Sequence, residues 1–245
     1  MPRLNDVNME QVNLTGSYGY SAVGLDKLGS TEYTLITMAC DASGSVAPFV
    51  AELEMALQTI IRSCKGSREE NLLMRLLTFN DRVEEVHGFK LMETCDPQSY
   101  HNILNCGGMT ALFDATENAI SSTLDFGRKL MAPGMDYSIN ACVYILTDGE
   151  NNRGGVNPAD IKRMLSTAVS SEAVESIVTL LIGLNNTKIL DALLSKFKED
   201  AGLTHYEGIG TITESSLRRL TGLVSKSISQ QSKSLAGAGS QPLNF

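Results

Sequence analysis

Three oxygen-bearing side chains occur at alternate positions in the short segment Asp41-Ala42-Ser43-Gly44-Ser45. This spacing lets their oxygens converge on one side of a loop, and Gly44 permits the sharp backbone turn that such a loop needs. One carboxylate and two hydroxyls suit a hard divalent cation such as Mg²⁺, which prefers oxygen ligands and retains several waters. Because Asp and Ser are also common helix caps, the segment taken alone is more often structural than metal-binding.

Two later segments place further hard oxygens at turns. Thr110 follows the glycine pair Gly107-Gly108 and precedes a helical pattern, and Asp148 ends an apolar run that is followed by Gly149. In an open α/β sheet, ligands bind at the carboxyl ends of the strands, so residues far apart in sequence can meet there. The sequence therefore predicts one metal site with five ligand residues: Asp41, Ser43, Ser45, Thr110 and Asp148.

This combination resembles the von Willebrand factor A domain and its metal-ion-dependent adhesion site. That family has Asp-x-Ser-x-Ser, a distant Thr, and a later Asp in a Thr-Asp-Gly context, and each position has a match here. One departure is Met109, which stands between the glycines and Thr110, whereas many relatives place Thr directly after the glycines. The resemblance implies a bound Mg²⁺ or Mn²⁺ ion. It also implies a doubly wound, mostly parallel central sheet with helices on both faces and one antiparallel edge strand.

The resemblance covers roughly residues 31–230 and divides the chain into three predicted parts. Residues 1–30 are predicted to form an N-terminal arm, 31–230 the von Willebrand factor A domain, and 231–245 a C-terminal tail. The opening Gly16-Ser17-Tyr18-Gly19-Tyr20 and the tail from Leu235 look similar to extensions on soluble bacterial and phage members. These members include the tellurium-resistance-associated (TerY-like) group.

The elements that must position the ligands follow from hydrophobic periodicity. Strands that alternate with helices predict a parallel sheet with helices on both faces. The predicted helices cover 46–61, 111–131, 158–171, 187–199 and 213–229, and in the fourth Ile189 and Leu193 are expected to face the core. The predicted strands cover 33–41, 71–79, 83–92, 139–147, 176–184 and 203–207, with 83–92 as the antiparallel edge strand.

Composition restricts the classes of partner and compartment. The net charge of −8 disfavours nucleic acid and anionic membranes as partners. The longest apolar run, Ile177 to Leu184, is too short to span a bilayer. Cys40 and Cys142, two of an odd number of cysteines, lie in predicted buried strands, which indicates a reducing, cytoplasmic location. Cys95, His101 and Cys106 share a loop region but lack a fourth ligand and a close Cys pair for zinc.

Charge counting at the predicted site favours a protein-binding function. If Asp41 and Asp148 both bound the ion directly, they would neutralise it and leave a poor acceptor for another anion. If Asp148 acts through a water, one formal negative charge remains in the first shell and the ion still attracts an external carboxylate. We therefore expect a Mg²⁺-bridged contact with an Asp or Glu side chain of a partner protein, and the family resemblance implies the same role.

Two other functions stay open from the sequence. In a metal-dependent hydrolase or phosphatase-like enzyme the Mg²⁺ would polarise a phosphoryl oxygen or activate water. Asp41 after a buried strand has a superficial likeness to haloacid-dehalogenase phosphatases, but Ser43 stands where their second aspartate would fall. The histidines, His87, His101 and His205, adjoin no nucleophile in sequence, so we expect no enzymatic activity. The last alternative is a passive structural component of a larger assembly, with the candidate ligands acting as caps and turn formers.

Overall fold

In the residues that the computed structural model describes, an eight-stranded sheet carries five α-helices on its two faces. These residues are 4, 9–13, 19–65, 69–132, 134–168, 170–171, 173–185 and 187–236. The strands are β1 (Met9–Asn13), β2 (Gly19–Val23), β3 (Glu32–Asp41), β4 (Leu72–Phe79), β5 (Val83–Leu91), β6 (Ser138–Thr147), β7 (Ser176–Gly183) and β8 (His205–Gly208). The helices are α1 (Val50–Cys64), α2 (Leu112–Leu130), α3 (Pro158–Ala168), α4 (Lys188–Ala201) and α5 (Glu214–Ala236).

The strand order β1-β2-β5-β4-β3-β6-β7-β8 confirms the predicted doubly wound α/β class. Strands β4, β3, β6, β7 and β8 are mutually parallel, and β5 runs antiparallel to β4 as predicted. The chain leaves β3 for β4 on one side and later returns to pair β6 with the other side of β3. Because the connections on the two sides of β3 lead in opposite directions, a crevice forms at the carboxyl ends of these strands, where ligands bind in open sheets.

The central strands are buried on both faces, which explains their continuous apolar runs. On β3, Ile36, Met38 and Cys40 pack with residues of α1 and α5, whereas Leu35 and Ala39 pack with α2, α3 and α4. Alternation along the strand thus divides the core into two layers. No helix in the described part of the chain is both long and apolar enough to cross a membrane.

The N-terminal region differs from the prediction, because β1 and β2 form an antiparallel hairpin within the predicted arm. Strand β2 pairs in parallel with β5, so β1 is the edge strand on this side and the predicted edge, 83–92, lies inside the sheet. Tyr20 and Ala22 of β2 are buried in the layer that contains α2. Residues 14–18, which include part of the glycine-rich opening, and 237–245, most of the predicted tail, lie outside the described residues.

Two helices also depart from the prediction. Residues Gly44–Phe49 form a 3₁₀ helix, and the α-helical hydrogen-bonding pattern begins only at Val50. On α4, Leu194 and Phe197 are buried, but Ile189 is 76% exposed and Leu193 is 41% exposed, so their predicted inward orientation is wrong. Helix α4 covers the outer part of the sheet and packs along one narrow stripe, which leaves Ile189 and Leu193 largely in solvent.

Candidate metal centre

The ends of β3 and β6 bring the two predicted aspartate ligands to one edge of the sheet. Cys40 pairs with Leu146 across these strands, so Asp41 at the end of β3 and Asp148 just beyond β6 are neighbours. The loop that contains Ser43 and Ser45 begins at this point. The parallel pairing of β3 with β6 therefore accounts for the meeting of residues more than a hundred positions apart.

Asp41 is fully buried, and both of its carboxylate oxygens accept hydrogen bonds. The backbone N–H of Ser43 donates to Oδ1 at 2.8 Å, and the Thr147 hydroxyl donates to Oδ2 at 2.6 Å. The pKa of Asp41 is raised to about 6, chiefly by burial, while the hydrogen bonds from Thr147 and Ser43 oppose the rise and the Asp148 charge adds a smaller increase. Thr147 was not predicted as a site residue, because its role is recognisable only once β3 and β6 are known to be neighbours.

A chain of hydroxyl groups connects Ser43 to Asp148 on the open side of the centre. The hydroxyls of Ser43 and Ser45 are 3.1 Å apart, and the Ser45 hydroxyl donates to Oδ1 of Asp148 at 2.7 Å. Ser43 is buried, Ser45 is exposed, and Asp148 is half-buried. Burial raises the pKa of Asp148, while the Ser45 hydrogen bond lowers it. These oxygens therefore line a path from the protein interior to solvent.

The Thr110 loop packs against the loop that follows Asp148. The Thr110 N–H donates to the side-chain oxygen of Asn152 at 2.8 Å, and the Asn152 N–H donates to the Thr110 carbonyl at 3.1 Å. A β-carbon on Gly149 would lie 3.3 Å from Oγ1 of Thr110, which places that hydroxyl beside the Asp148 loop. Neither Asn152 nor Asn151, whose side chain accepts from the N–H of Phe113, was predicted as a site residue. Their position directly after Asp-Gly-Glu was the available signal.

The glycine pair allows a close approach between the first two loops. The Gly107 N–H donates to the Ala42 carbonyl at 2.9 Å, and the Gly44 N–H donates to the Gly108 carbonyl at 3.3 Å. Gly108 has φ of 78°, in the left-handed region that favours glycine. The extra residue, Met109, donates its N–H to the Asp81 carboxylate at 3.2 Å and leaves its side chain 44% exposed. The loop thus accommodates the residue that departs from the family pattern.

The chemistry of this donor set fits a hard divalent cation. Its side chains provide two carboxylates and three hydroxyls, all oxygen donors of the kind that Mg²⁺ and Mn²⁺ prefer. Among the salt bridges of the described residues, none involves Asp41 or Asp148. A bound cation would supply the positive charge that the buried Asp41 carboxylate otherwise lacks.

The weaker zinc candidate is not assembled. In the part of the chain covered by the structure, no three His, Cys, Asp or Glu side chains are arranged to hold a metal. Cys95 is buried, and the Nδ1 atom of the exposed His101 lies 3.5 Å from the Glu54 carboxylate. Burial and the charges of Asp41, Glu54 and Asp148 raise the pKa of the Cys106 thiol, so Cys106 belongs to the surroundings of the oxygen-rich centre.

Neither a protein-family model nor a curated protein sequence matches the chain. Solved structures do match in shape. A von Willebrand factor type A protein from Catenulispora acidiphila superimposes with a TM-score of 0.57 at 14% identity, over 80% of this chain and 43% of its own. The fold is that of a von Willebrand factor type A domain.

Two other structures share this von Willebrand factor type A fold. The D319A mutant of the PilB minor pilin from Streptococcus sanguinis gives a TM-score of 0.59 at 12% identity, over 86% of this chain and 64% of that chain. Proximal thread matrix protein 1 from the mussel byssus, solved with a zinc-occupied MIDAS motif, gives a TM-score of 0.50 at 19% identity, over 81% of this chain and 45% of that chain. The chain therefore spans less than two thirds of each of these proteins, and what it shares with them is the fold.

Proposed function

We propose that this chain is a divalent-metal-dependent protein-interaction module, with the von Willebrand factor A domain at residues 31–230. The observation that carries the proposal is the convergence of Asp41, Ser43, Ser45 and Asp148 in one hydrogen-bonded chain, with the Thr110 hydroxyl beside it. We propose these five residues as the ligands of Mg²⁺ or Mn²⁺. The MIDAS motif of the mussel protein holds zinc, but the all-oxygen donor set proposed here favours the harder ions.

Charge supports capture of a carboxylate at this centre. Asp41 is buried and accepts hydrogen bonds from within the protein, whereas Ser45 and Asp148 lie toward solvent. When bound, the ion would supply a positive charge with open coordination positions on the solvent side. With Asp148 acting through water, the first shell would hold one formal negative charge, and an Asp or Glu side chain of a protein partner would complete it.

The surface beside the centre offers further contacts for such a partner. A polar cavity of about 130 Å³ is lined by Ala42 of the first loop together with Thr78, Phe79, Asn80, Arg82, Glu84 and Asn105. The Asn80 carbonyl accepts the Ala111 N–H at 2.8 Å, which holds the β4–β5 turn against the Thr110 loop. Met109, which precedes Thr110, donates its backbone N–H to Asp81 of this turn, and its side chain is exposed. We propose that this turn and Met109 contribute to the choice of partner.

We propose binding, and not catalysis, as the role of the centre. The histidines are engaged elsewhere: His87 with Tyr100, His101 beside Glu54, and His205 beside Glu207. All five cysteines are free thiols, which supports the proposed cytoplasmic location. The similarity to the tellurium-resistance-associated group stays a prediction.

Metal binding and partner binding are tested separately. Titration with Mn²⁺, followed by electron paramagnetic resonance, should show one site in the wild-type chain and none in Asp41→Asn. Asp160→Asn, which changes an exposed aspartate on α3, is the matched control and should bind as wild type. Binding of Mn²⁺ by Asp41→Asn at wild-type affinity would remove Asp41 from the site.

Partner capture from the host lysate should then require Mg²⁺, disappear in EDTA, and be absent in Asp41→Asn but present in Asp160→Asn. Replacement of Mg²⁺ by Ca²⁺ should weaken capture, because Ca²⁺ takes more oxygens at longer distances than an octahedral site offers. Capture that is equally strong in EDTA would favour a passive structural role. Turnover of a phosphoester by the purified chain with Mg²⁺ would favour the enzymatic alternative.

A further inference from the structure

Glu54 of α1 is a buried carboxylate, 4% exposed, that holds three consecutive backbone N–H groups. Its Oε2 atom accepts from Asn102 at 2.8 Å, and its Oε1 atom accepts from Ile103 at 2.8 Å and from Leu104 at 3.0 Å. A buried charge is costly unless hydrogen bonds replace water, and three main-chain donors do this for a carboxylate. Asn102 adopts φ of 56°, the left-handed conformation that turns these donors toward one acceptor.

The segment that Glu54 holds leads directly into the loop of Thr110. Ile103 and Leu104 are buried in the same core layer as α1, and five residues separate Leu104 from Thr110. Between them, Gly107 and Gly108 bond to Ala42 and Gly44 of the first loop. Ser43 directly precedes the 3₁₀ helix Gly44–Phe49, which contains Ser45 and leads into α1. The carboxylate therefore joins the helix that follows two candidate ligands to the segment that precedes a third.

We infer that Glu54 is a positioning residue of the metal centre, which fixes the Thr110 loop relative to Ser43 and Ser45. This inference rests on the proposed function. Glu54 does not itself contact the proposed ligand atoms, so its effect on the ion is indirect. Residues that orient metal ligands from outside the first shell are commonly worth about 10- to 100-fold in metal affinity. A purely structural role would instead lower stability without changing affinity in the folded chain.

Glu54→Gln in the full chain tests this inference, because it keeps the shape of the side chain and removes one acceptor and the charge. We expect Mn²⁺ to bind about tenfold more weakly than to wild type. Hydrogen exchange at the amides of residues 102–104 should be faster, while amides of the central strands retain their protection. If Glu54→Gln does not fold, Glu54→Asp is measured in the same way, since it withdraws the carboxylate by one methylene and should show the same weakening.

Tyr144→Phe is the matched control for general destabilisation. It removes a buried hydrogen bond of 2.6 Å between the Tyr144 hydroxyl and Ser227 of α5, on the core layer that includes the apolar face of α1 but without a bond to the metal loops. We expect Tyr144→Phe to lower the melting temperature and to leave Mn²⁺ affinity unchanged. Wild-type Mn²⁺ affinity in the Glu54 variant, or an equal loss in both variants, would overturn the inference. Failure of wild type itself to bind Mn²⁺ would instead overturn the proposed function.

Discussion

The Thr147 hydroxyl donates a hydrogen bond of 2.6 Å to Oδ2 of Asp41, and this bond joins the end of β6 to the end of β3. The Gly149 N–H donates in turn to the Thr147 hydroxyl at 3.2 Å, and the Gly149 carbonyl lies at the same distance from that hydroxyl. Asp41 is thereby held between Thr147 and the Ser43 N–H, each of which occupies one carboxylate oxygen. The two bonds together fix the orientation of the Asp41 carboxylate.

Thr147→Val should therefore weaken metal binding without unfolding the chain. Valine has nearly the shape of threonine and fits the fully buried site, but it lacks the hydroxyl that orients Asp41. We expect Mn²⁺ affinity to fall by about tenfold, as for other residues that orient a ligand. Thr147→Ser, which keeps the hydroxyl, is the control and should retain most of the affinity. Equal Mn²⁺ affinity in Thr147→Val and wild type would show that this bond does not orient the ligand.

Metal binding should also depend on pH in a range where an ordinary aspartate would not titrate. Burial, the Asp148 charge and the opposing hydrogen bonds together give Asp41 a pKa of about 6, and only the ionised carboxylate binds a metal ion well. Between pH 7.5 and pH 5 the apparent Mn²⁺ affinity should fall by about tenfold, since most Asp41 is protonated at pH 5. A site with an aspartate of ordinary pKa would lose less than about a tenth of its Mn²⁺ affinity over the same range. Isothermal titration at several pH values distinguishes the two.

Removal of the Asp41 charge should stabilise the metal-free protein. The folded-state pKa is raised, so this group favours folding at low pH, and that contribution is lost as the pH rises through about 6. At pH 7 the ionised, buried carboxylate thus opposes folding by up to about 3 kcal/mol. Asn in its place can accept from the Ser43 N–H and donate to the Thr147 hydroxyl. We expect Asp41→Asn to raise the free energy of unfolding in EDTA by roughly 1–3 kcal/mol.

Urea denaturation at pH 7 measures this change, and the same experiment with excess Mn²⁺ supplies the control. Because an ion that binds only the folded state stabilises it, wild type should gain stability with Mn²⁺ and Asp41→Asn should not. Destabilisation of Asp41→Asn in EDTA would mean that the carboxylate contributes favourably to the metal-free fold.

The sequence contained most of the architecture because the central strands and helices carry strong, simple patterns. Continuous apolar runs indicated β3, β6 and β7, and the i, i+3, i+4 stripes indicated α1, α2 and α5. The hairpin β1–β2 was missed because its burial depends on partners far away in sequence. Its buried Tyr20 bonds to Asp125 of α2, and the Ser21 N–H bonds to Glu85 of β5. A strand of five residues is too short for its periodicity to report such contacts.

The candidate site shows the same division between local and long-range information. The oxygen-rich motif indicated the five candidate ligands, because residue type and local spacing carry the donor chemistry. The residues that bond to the ligand-bearing loops could not be predicted, since Thr147, Asn152 and Glu54 act across loops that are neighbours only in the folded chain. Orienting hydrogen bonds of this kind place few demands on the residues next to them in sequence.

Acid should destabilise the fold through His87, which is fully buried in β5. Its Nδ1–H donates to the Gly88 carbonyl and its Nε2 accepts from the Tyr100 hydroxyl, both at 2.8 Å, so the neutral ring is satisfied. Burial, with smaller effects from the positive charges of Lys90 and Arg75, lowers the pKa of His87 to about 3. Because the folded-state pKa is depressed, the stability that the neutral ring contributes is present above the unfolded pKa of about 6.5 and is lost as the pH falls below it.

Between pH 6 and pH 4, the contribution of His87 to the slope of the unfolding free energy against pH should approach about 1.4 kcal/mol per pH unit. His87→Gln can replace both hydrogen bonds without a titrating group, so its free energy of unfolding should fall less steeply over this range. His101→Gln, which changes an exposed histidine, should keep the wild-type slope. Parallel slopes for wild type and His87→Gln, measured by urea denaturation, would show that His87 does not drive the loss.

Gly88→Ala should detach the N-terminal hairpin from the sheet while the metal centre stays intact. A β-carbon at this position would lie 1.9 Å from the Ser21 carbonyl oxygen, so β2 would have to move away from β5. That movement would break the Ser21 bonds to Glu85 and expose the buried Tyr20, at a cost of roughly 2–4 kcal/mol. Gly222→Ala is the control, because its β-carbon would meet open space on α5 and alanine favours a helix.

The two readouts for Gly88→Ala are stability and metal affinity. Strands β5 and β4 separate β2 from β3, and the bonds that orient the candidate ligands involve neither β1 nor β2. We therefore expect a lower melting temperature and faster proteolysis within the first thirty residues, with Mn²⁺ affinity within about twofold of wild type. Gly222→Ala should match wild type in both measurements or melt slightly higher. A loss of Mn²⁺ affinity in Gly88→Ala of more than about twofold would show that the hairpin supports the metal centre through the sheet.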